Sequence, residues 1–420
     1  MNTLENRYRP GRPTLLVGGL AGLFVVVAGM PLPATAANPA YGSFLPTVCG
    51  ATGASLNLNA VACAPGGASP DSQSSLNPSQ PLAGNDQPLA RAREKAASLQ
   101  KDKQENSGTT ATAEPALQLG PFSLLVNGRG SWFNRDASGG ERGYDGDSYA
   151  VELGLDRRLS ARAVVGGFLS YERTDLNFDR EGATTFTPPA NPGGTQVDSA
   201  ALVLFGAYNL SDAIYLEAAT GYGVSDYEFR RNAFAQVAGD PFNVGAVVRT
   251  RGDSNGHDYW LSAGAGYDIN HGAASYGVFA RTTWARAQID GYREKDLNAS
   301  GFALSVGDAK RSSLTTTLGL RASRAVSFDW GVLVPQARLE YEHEFENDPP
   351  GVATAFADVV TPGLSFSPAR DKPDQNWFNL AVGAQFILPG GLMPFVEAEA
   401  LLGQRNFDRY RVLLGVRSEF

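Results

Sequence analysis

The chain has 420 residues, a net charge of −8 and 43% hydrophobic residues, but no apolar run long enough to cross a bilayer as a helix. The acidic balance argues against a nucleic-acid partner, because such binding depends on Lys and Arg that neutralise phosphate charge. With three histidines and two cysteines, the sequence offers no metal-enzyme or redox spacing, so we expect no metal and no cofactor.

The N-terminus has the pattern of a secretory signal peptide. Arginines precede an apolar stretch over 15–28, and the small residues Ala34 and Ala36 follow at the spacing of a cleavage site. The stretch is shorter than the roughly 20 residues of a spanning helix, so a retained anchor is only the alternative. We expect the mature chain to leave the cytoplasm. Cys49 and Cys63 would then meet an oxidising compartment, where a disulfide is expected and two free thiols are the alternative.

Two non-barrel segments follow. Residues 37–87 are rich in Pro, Gly, Ser, Asn and Ala and have no apolar period, which predicts an irregular segment. Residues 89–104 consist almost wholly of strong helix formers, yet no apolar stripe is wide enough to pack on a core. A helix that is polar on nearly all sides needs water or a polar container around it, so a solvated linker helix or disorder is the alternative. A helix over residues 89–104 would be about 24 Å long, close to the height of the apolar band on an outer-membrane barrel.

From about residue 120 to the C-terminus, the apolar residues recur with a period of two. Leu333, Leu339 and Tyr341, for example, alternate with charged residues such as Arg338 and Glu340. Twelve such segments lie near 121–133, 146–159, 161–178, 196–210, 213–230, 257–270, 274–289, 310–324, 327–345, 376–388, 392–405 and 407–420. Short turns alternate with long polar loops near 134–145, 179–195, 231–256, 290–309 and 346–375. Short turns on one rim and long loops on the other are typical of an outer-membrane β barrel.

A soluble β sandwich also alternates, but the charged face favours the barrel. Many segments exceed the roughly 5 to 6 residues of soluble strands and reach the roughly 9 to 11 that a tilted membrane strand needs. Lipid does not accept the charged residues that alternate with the apolar ones on each strand, whereas a hydrated lumen does. The predicted pore-lining residues are Arg129, Glu152, Arg162, Glu217, Arg281, Arg321, Arg338, Glu340, Glu342, Glu397, Glu399 and Arg417.

Several short stretches in the second half of the chain stand in a characteristic order and spacing. They are Phe328-Asp329-Trp330-Gly331, the run from Pro335 to Phe345, Leu380 to Ala384, Gly390-Gly391-Leu392, Leu401-Leu402-Gly403, Leu414 to Arg417 and Phe420. Their order and spacing resemble the autotransporter β-domain of type V secretion, over about residues 120 to 420. The resemblance implies an all-β membrane protein: a twelve-stranded antiparallel transmembrane barrel whose lumen holds an N-terminal α helix linked to an exported passenger.

The resemblance divides the chain into a signal peptide (1–36), a short and largely irregular passenger (37–87), a helix and linker through the pore (88–119) and the barrel domain (120–420). The cationic helix would then meet lumenal glutamates such as Glu397 and Glu399. The expected function is insertion into the outer membrane and display of the passenger at the cell surface, with the long loops also outside. Passengers of the family are commonly long and repetitive, whereas this one has about 50 residues and no repeat. The helix has no Asn-Asn pair, so we do not expect self-cleavage.

The end of the chain resembles the signal by which outer-membrane proteins are recognised for insertion. The residues concerned are Tyr410, Val412, Leu414, Val416 and Phe420. The partners implied are outer-membrane lipid, periplasmic chaperones and the barrel assembly machinery, with the protein itself a monomer.

Two other functions are alternatives: a porin-like channel, or a surface adhesin acting through its loops. Gly252-Asp253-Ser254 matches the start of an esterase nucleophile block, and Arg251-Gly252-Asp253 matches an integrin-binding tripeptide. Both fall in one predicted loop. Asn255 follows Ser254 where the esterase block has leucine, and His257 and Asp258 stand nearby, but closeness in sequence does not supply the geometry of a triad. We therefore expect no enzymatic activity.

Overall fold

The structure is a computed structural model that describes residues 122–137, 143–160, 162–180, 191–236, 245–298, 303–346, 352–357 and 374–418. In chain order its strands are β1 (Phe122–Arg135), β2 (Tyr144–Ser160), β3 (Ala163–Phe178), β4 (Gly193–Asn209), β5 (Ile214–Gln236), β6 (Gly245–His271), β7 (Ala274–Ile289), β8 (Tyr292–Arg293), β9 (Lys295–Asp296), β10 (Leu304–Val306), β11 (Ala309–Arg324), β12 (Val326–Phe328), β13 (Gly331–Glu344), β14 (Thr354–Phe356), β15 (Asn376–Ile387), β16 (Leu392–Leu402) and β17 (Phe407–Ser418).

Twelve of these strands close into one antiparallel barrel. Each pairs with its neighbour in the order β1 to β7, β11, β13, β15, β16 and β17. The last strand returns to the first along its whole length, from Leu124 opposite Ser418 to Arg135 opposite Phe407. Closure leaves these strands without a free edge, so their backbone groups are paired inside a membrane. The predicted all-β fold and twelve-stranded barrel are confirmed. The predicted helix over 89–104 lies outside the described residues, among which no helix is long and apolar enough to span a membrane.

The two faces of the barrel wall follow the alternation of the sequence. On β7 the outward Tyr276, Val278 and Trp284 are exposed, whereas the inward Phe279 and Arg281 are buried. On β6 the outward side chains from residue 259 to residue 269 are almost all apolar. At about 3.4 Å per residue and a tilt near 40°, this stretch rises about 25 Å, the height of the apolar band on an outer-membrane barrel.

The loop predicted over 231–256 is wrong at both of its ends, because β5 continues to Gln236 and β6 begins at Gly245; residues 237–244 lie outside the described ranges. Just before this extension the alternation is already inverted: Tyr227 and Phe229 are buried on the inner side, whereas Asp226 and Glu228 lie on the outer side. A strand that has left the lipid has water outside and can bury apolar side chains inside. The β5–β6 hairpin therefore projects beyond the membrane on the rim that carries the long loops.

Two of the long loops pair with each other beside this hairpin. β8, β10 and β14 form a three-stranded sheet, here called the loop sheet. Its residues Tyr292, Leu304 and Val306 pack in one buried cluster with Tyr227 and Phe229 of β5. The rings of Phe229 and Tyr292 stack at 4.6 Å, and burial raises the pKa of the Tyr292 hydroxyl well above its usual range. The loop sheet is thus held to the projecting hairpin by a small core of its own.

Candidate functional site: the barrel lumen

The inner face of the barrel carries most of the predicted pore-lining side chains. Eleven of the twelve lie there and are buried or nearly so: Arg129, Glu152, Glu217, Arg281, Arg321, Arg338, Glu340, Glu342, Glu397, Glu399 and Arg417. Arg162 does not line the lumen and is corrected here. It is exposed in the turn between β2 and β3, because β2 ends at Ser160, and its backbone N–H donates to Ser160 Oγ.

One ionic cluster joins the first three strands. The Arg129 guanidinium on β1 lies 3.2 Å from a carboxylate oxygen of Glu152 on β2 and 2.6 Å from one of Glu172 on β3. The hydroxyls of Ser170 and Thr174 donate to the same two carboxylates at 3.4 Å. A buried carboxylate is tolerated when a cation and hydrogen-bond donors surround it. These side chains therefore form a paired cluster fixed to the wall.

A second ion pair crosses the seam where the barrel closes. Arg417 on β17 lies 3.2 Å from Asp156 on β2, so the pair spans β1, which separates these two strands. Arg321 on β11 makes a two-pronged contact with Asp268 on β6 at 2.7 Å to each oxygen, across β7. Each of these two pairs joins strands that are two apart in the barrel. They add side-chain contacts to the backbone hydrogen bonds between neighbouring strands.

The side of the lumen formed by β13, β15 and β16 is acidic. Its inward residues include five glutamates and one arginine: Glu340, Glu342, Glu344, Glu397, Glu399 and Arg338. We call the five glutamates the acidic wall. Arg338 lies 2.9 Å from Glu399, and Arg411 on the next strand lies 2.7 Å from the same residue. Arg281 on β7 reaches Glu340 at 3.3 Å.

The opposite side of the lumen carries an apolar cluster, which the sequence interpretation missed, beside polar inward side chains such as Glu217 and Arg281. Phe168, Val203, Ala219, Trp260 and Ala285 form one buried cluster on the inner face of β3 to β7, here called the apolar wall. In the closed order of twelve strands, β4 lies six strands from β15, and β5 lies six strands from β16. The apolar wall therefore faces the acidic wall across the lumen.

Of the other predicted site residues, four residues of the insertion signal lie within the described ranges. Tyr410, Val412, Leu414 and Val416 lie on β17, and Tyr410 and Leu414 are exposed on its outer face. Each of the four pairs with residues of β1 on one side and of β16 on the other. The cleavage residues Ala34 and Ala36, the pair Cys49 and Cys63, and terminal Phe420 lie outside the described residues.

The esterase-like and integrin-like tripeptides lie within strand β6. Ser254 and His257 fall on opposite faces of that strand, because they are three positions apart, and Ser254 Oγ donates to the carbonyl of Asp290 at 2.6 Å. Arg251 and Asp253 contact each other at 3.4 Å on its outer face. These positions do not assemble a Ser-His-acid arrangement. Within the ranges that the structure describes, no His, Cys, Asp and Glu side chains cluster so as to hold a metal ion.

Comparison with known proteins identifies the barrel. The family model described as the autotransporter β-domain matches residues 124–399. The chain is 26% identical over 268 residues to esterase EstA of Pseudomonas aeruginosa, covering 63% of this chain and 38% of that protein. It is 27% identical over 243 residues to the extracellular serine protease of Serratia marcescens, covering 56% of this chain and 20% of that protein. The chain thus spans less than half the length of these relatives.

The fold agrees with a solved structure of the same kind. The translocator domain of the autotransporter NalP from Neisseria meningitidis superposes with a TM-score of 0.55 at 14% identity, over 79% of this chain and 98% of that one. The match of the family model to most of the barrel, together with this fold, confirms the family and the bacterial outer membrane as its location. The chain belongs to the autotransporter β-domain family.

Proposed function

We propose that this chain translocates its own N-terminal segment, residues 37–87, and displays it at the cell surface while residues 88–119 cross the lumen. The carrying observation is the two-sided lumen, with the acidic wall on one side and the apolar wall on the other. A water-filled pore has no need of an apolar inner wall. A helix that carries cations around most of its surface and one narrow apolar stripe can contact both walls.

The charge of residues 89–104 complements the acidic wall. Five cations and two anions, Glu94 and Asp102, give this short segment a net charge of +3; the cations are Arg91, Arg93, Lys95, Lys101 and Lys103. As a group, the five glutamates of the acidic wall are contacted by four arginines, Arg281, Arg338, Arg409 and Arg411, so the group keeps a net charge of −1. When a glutamate and a cation are both buried away from water, each loses hydration free energy. A direct ion pair between them offsets part of that cost. We therefore expect Arg91 and Lys101, on the side away from the apolar residues, to face β13 and β16.

The other side of the same helix complements the apolar wall. Leu89, Ala92, Ala96 and Leu99 recur at helical spacing and form a stripe that is narrow but continuous. Alanines in this stripe let the helix approach the wall closely. The stripe then lies against Trp260 and its neighbours, and Arg91 and Lys101 lie on the far side of the helix.

The rest of the proposal concerns the route of the chain. Residues 1–36 act as a cleaved signal peptide and residues 37–87 stay attached, since the helix carries no Asn-Asn pair. Periplasmic chaperones and the barrel assembly machinery are the proposed partners before insertion, and the inserted protein is a monomer. The similar proteins are named as an esterase and a protease, whereas nothing in residues 37–87 suggests a catalytic site.

Surface exposure of the passenger tests the proposal directly. An epitope with a specific protease site is inserted between residues 70 and 71, and intact cells are treated with that protease. We expect the site to be cleaved while the barrel keeps its folded mobility on unheated gels. The same site placed in the short turn at Gly272, on the opposite rim, is the protected control. Protection of the passenger site in cells with a folded barrel would refute display.

Liposome swelling separates display from the porin-like alternative. The full chain is expected to admit little solute, and a variant lacking residues 37–115 is expected to admit small sugars. Equal swelling by the two proteins would mean that the N-terminal segment does not fill the lumen.

A further inference from the structure

The outer surface of the barrel is unusual where β6, β7 and β11 lie side by side. The register places Tyr259, Arg286 and Ser312 in one row across the three strands. The next row toward the long loops contains His257, Gln288 and Lys310. Just below, the ring of Trp284 packs edge-on against Tyr259 at 5.5 Å. This aromatic pair marks the membrane interface, so Arg286 and Lys310 lie at the level of lipid headgroups.

These two cations differ from the equivalent cation elsewhere on the barrel. Arg286 and Lys310 are exposed, and neither side chain makes a hydrogen bond or ion pair with another residue of the described ranges. Arg173 on β3 also lies just beyond an outward aromatic residue, Tyr171, but it binds Asp175 at 3.3 Å and Gln196 at 2.7 Å. The headgroup level of β7 and β11 therefore offers two cations without an ion-pair partner in the described ranges, with Asp290 and Asp308 exposed in the next row toward the long loops.

An apolar groove lies below the two cations on the same outer surface. It has a volume of about 700 Å³, and Ala265 and Ala280, directly opposite each other on β6 and β7, form part of its lining. Larger side chains, including Tyr267, Leu318 and Tyr341, rise around these alanines. Ala280 is six residues from Arg286 on one strand, or about 20 Å, a distance that an extended fatty-acyl chain spans.

We propose that this surface is a binding site for one phosphorylated lipid of the outer leaflet. Its phosphate lies at Arg286 and Lys310, and one acyl chain runs past Trp284 into the groove over Ala265 and Ala280. A guanidinium and a phosphate form a strong, two-pronged, charge-assisted contact. Each Lys or Arg near an anionic membrane surface adds about 1 kcal/mol of attraction. The groove supplies apolar contact that a free phosphate ion does not use, so the ligand is the lipid.

Native mass spectrometry of the full-length protein in neutral detergent measures the binding. The probe is bis-phosphorylated lipid A, compared with the same lipid after enzymatic removal of its phosphates. We expect one lipid retained by the wild type, and at least a tenfold smaller bound fraction for the dephosphorylated probe and for Arg286→Gln combined with Lys310→Gln. The matched control, Arg173→Gln, retains the lipid as the wild type does. Unheated gel mobility shows that each variant is a folded barrel.

Two further arms test the groove. Ala280→Phe fills its floor without altering charge and is expected to lower the bound fraction several-fold. Inorganic phosphate at millimolar concentration is expected to displace little of the lipid. Unchanged binding by the Arg286 and Lys310 double variant, equal loss in Arg173→Gln, unchanged binding by Ala280→Phe, or full displacement by inorganic phosphate would each overturn the proposed site.

Discussion

The buried pair between Arg231 and Glu294 provides a sharp test of how the loop sheet is held. Arg231 lies on the projecting part of β5, and its Nε donates to Glu294 at 3.0 Å while its Nη2 contacts the second carboxylate oxygen. Glu294 also accepts from the backbone N–H of Leu304 at 2.9 Å. The two charged side chains are only 4% and 3% exposed. We predict that Glu294→Gln loosens the loop sheet without unfolding the barrel.

The expected magnitude follows from burial. Removing one partner of a buried ion pair costs about 3 to 5 kcal/mol, because the remaining charge stays in an apolar site. At about 1.4 kcal/mol per tenfold, the open population of the loop sheet rises roughly a hundredfold to a few thousandfold. Proteolysis follows that population when opening and closing are fast compared with cleavage. Arg293 and Lys295 flank Glu294 and are the trypsin sites that opening releases.

Limited trypsin digestion of the membrane-embedded protein measures the effect. The rate of cleavage after Arg293 and Lys295, followed by mass spectrometry, is expected to rise in Glu294→Gln. Arg173→Gln is the control, because its ion pair is about half exposed and such pairs contribute about 1 kcal/mol or less. A double change of Arg231 and Glu294 to leucine is expected to recover most of the protection. Equal cleavage rates for the wild type and Glu294→Gln would refute the role of this pair.

Three further changes test the barrel itself. Gly319→Leu is expected to lower the temperature at which the barrel unfolds on gels, because a side chain at Gly319 collides with the ring of Phe279 directly opposite; Gly128→Leu, where an added Cβ meets only the Ala150 carbonyl at 3.9 Å, tests for a non-specific effect of size. Leu169→Arg puts a charge on the lipid face and is expected to cost about 2 to 4 kcal/mol of barrel stability, whereas Leu169→Phe leaves the urea midpoint nearly unchanged; equal midpoints would argue against a lipid-facing Leu169. Deletion of Phe420 is expected to lower the amount of protein in outer-membrane fractions, and unchanged levels would contradict its role as an insertion signal.

The membrane-spanning part of the barrel was predictable because lipid outside and a polar lumen inside impose one simple pattern. The segment predicted over 274–289 is β7, and that predicted over 376–388 is β15 with one residue fewer. The pattern failed where the environment changes. Within the predicted strand 213–230, Tyr227 and Phe229 already turn inward and Glu228 turns to water, and the residues after 230 were interpreted as a loop although β5 continues to Gln236.

The contents of the lumen were predictable only in part. Alternation identified Arg417 as an inward residue, but its partner Asp156 is 261 positions away in the sequence, and only the closure of β1 onto β17 brings the two together. The apolar wall was missed because inward residues were assumed to be polar. A usable sign was present in Ala201 to Phe205, where consecutive residues are all apolar and both faces of the strand therefore avoid water.

Cross-linking between the helix and the inner wall tests the central claim most directly. Cys49 and Cys63 are first replaced by serine, and Lys95→Cys is then combined with Glu399→Cys on the inner face or with Val382→Cys on the outer face. A bismaleimide that spans roughly two turns of helix (about 11 Å) tolerates an offset along the lumen axis. We predict a cross-link with Glu399→Cys and none with Val382→Cys in cells that carry folded barrel. The absence of a cross-link with Glu399→Cys, and with a second inner-face cysteine at Glu340, would contradict passage of the helix through the lumen.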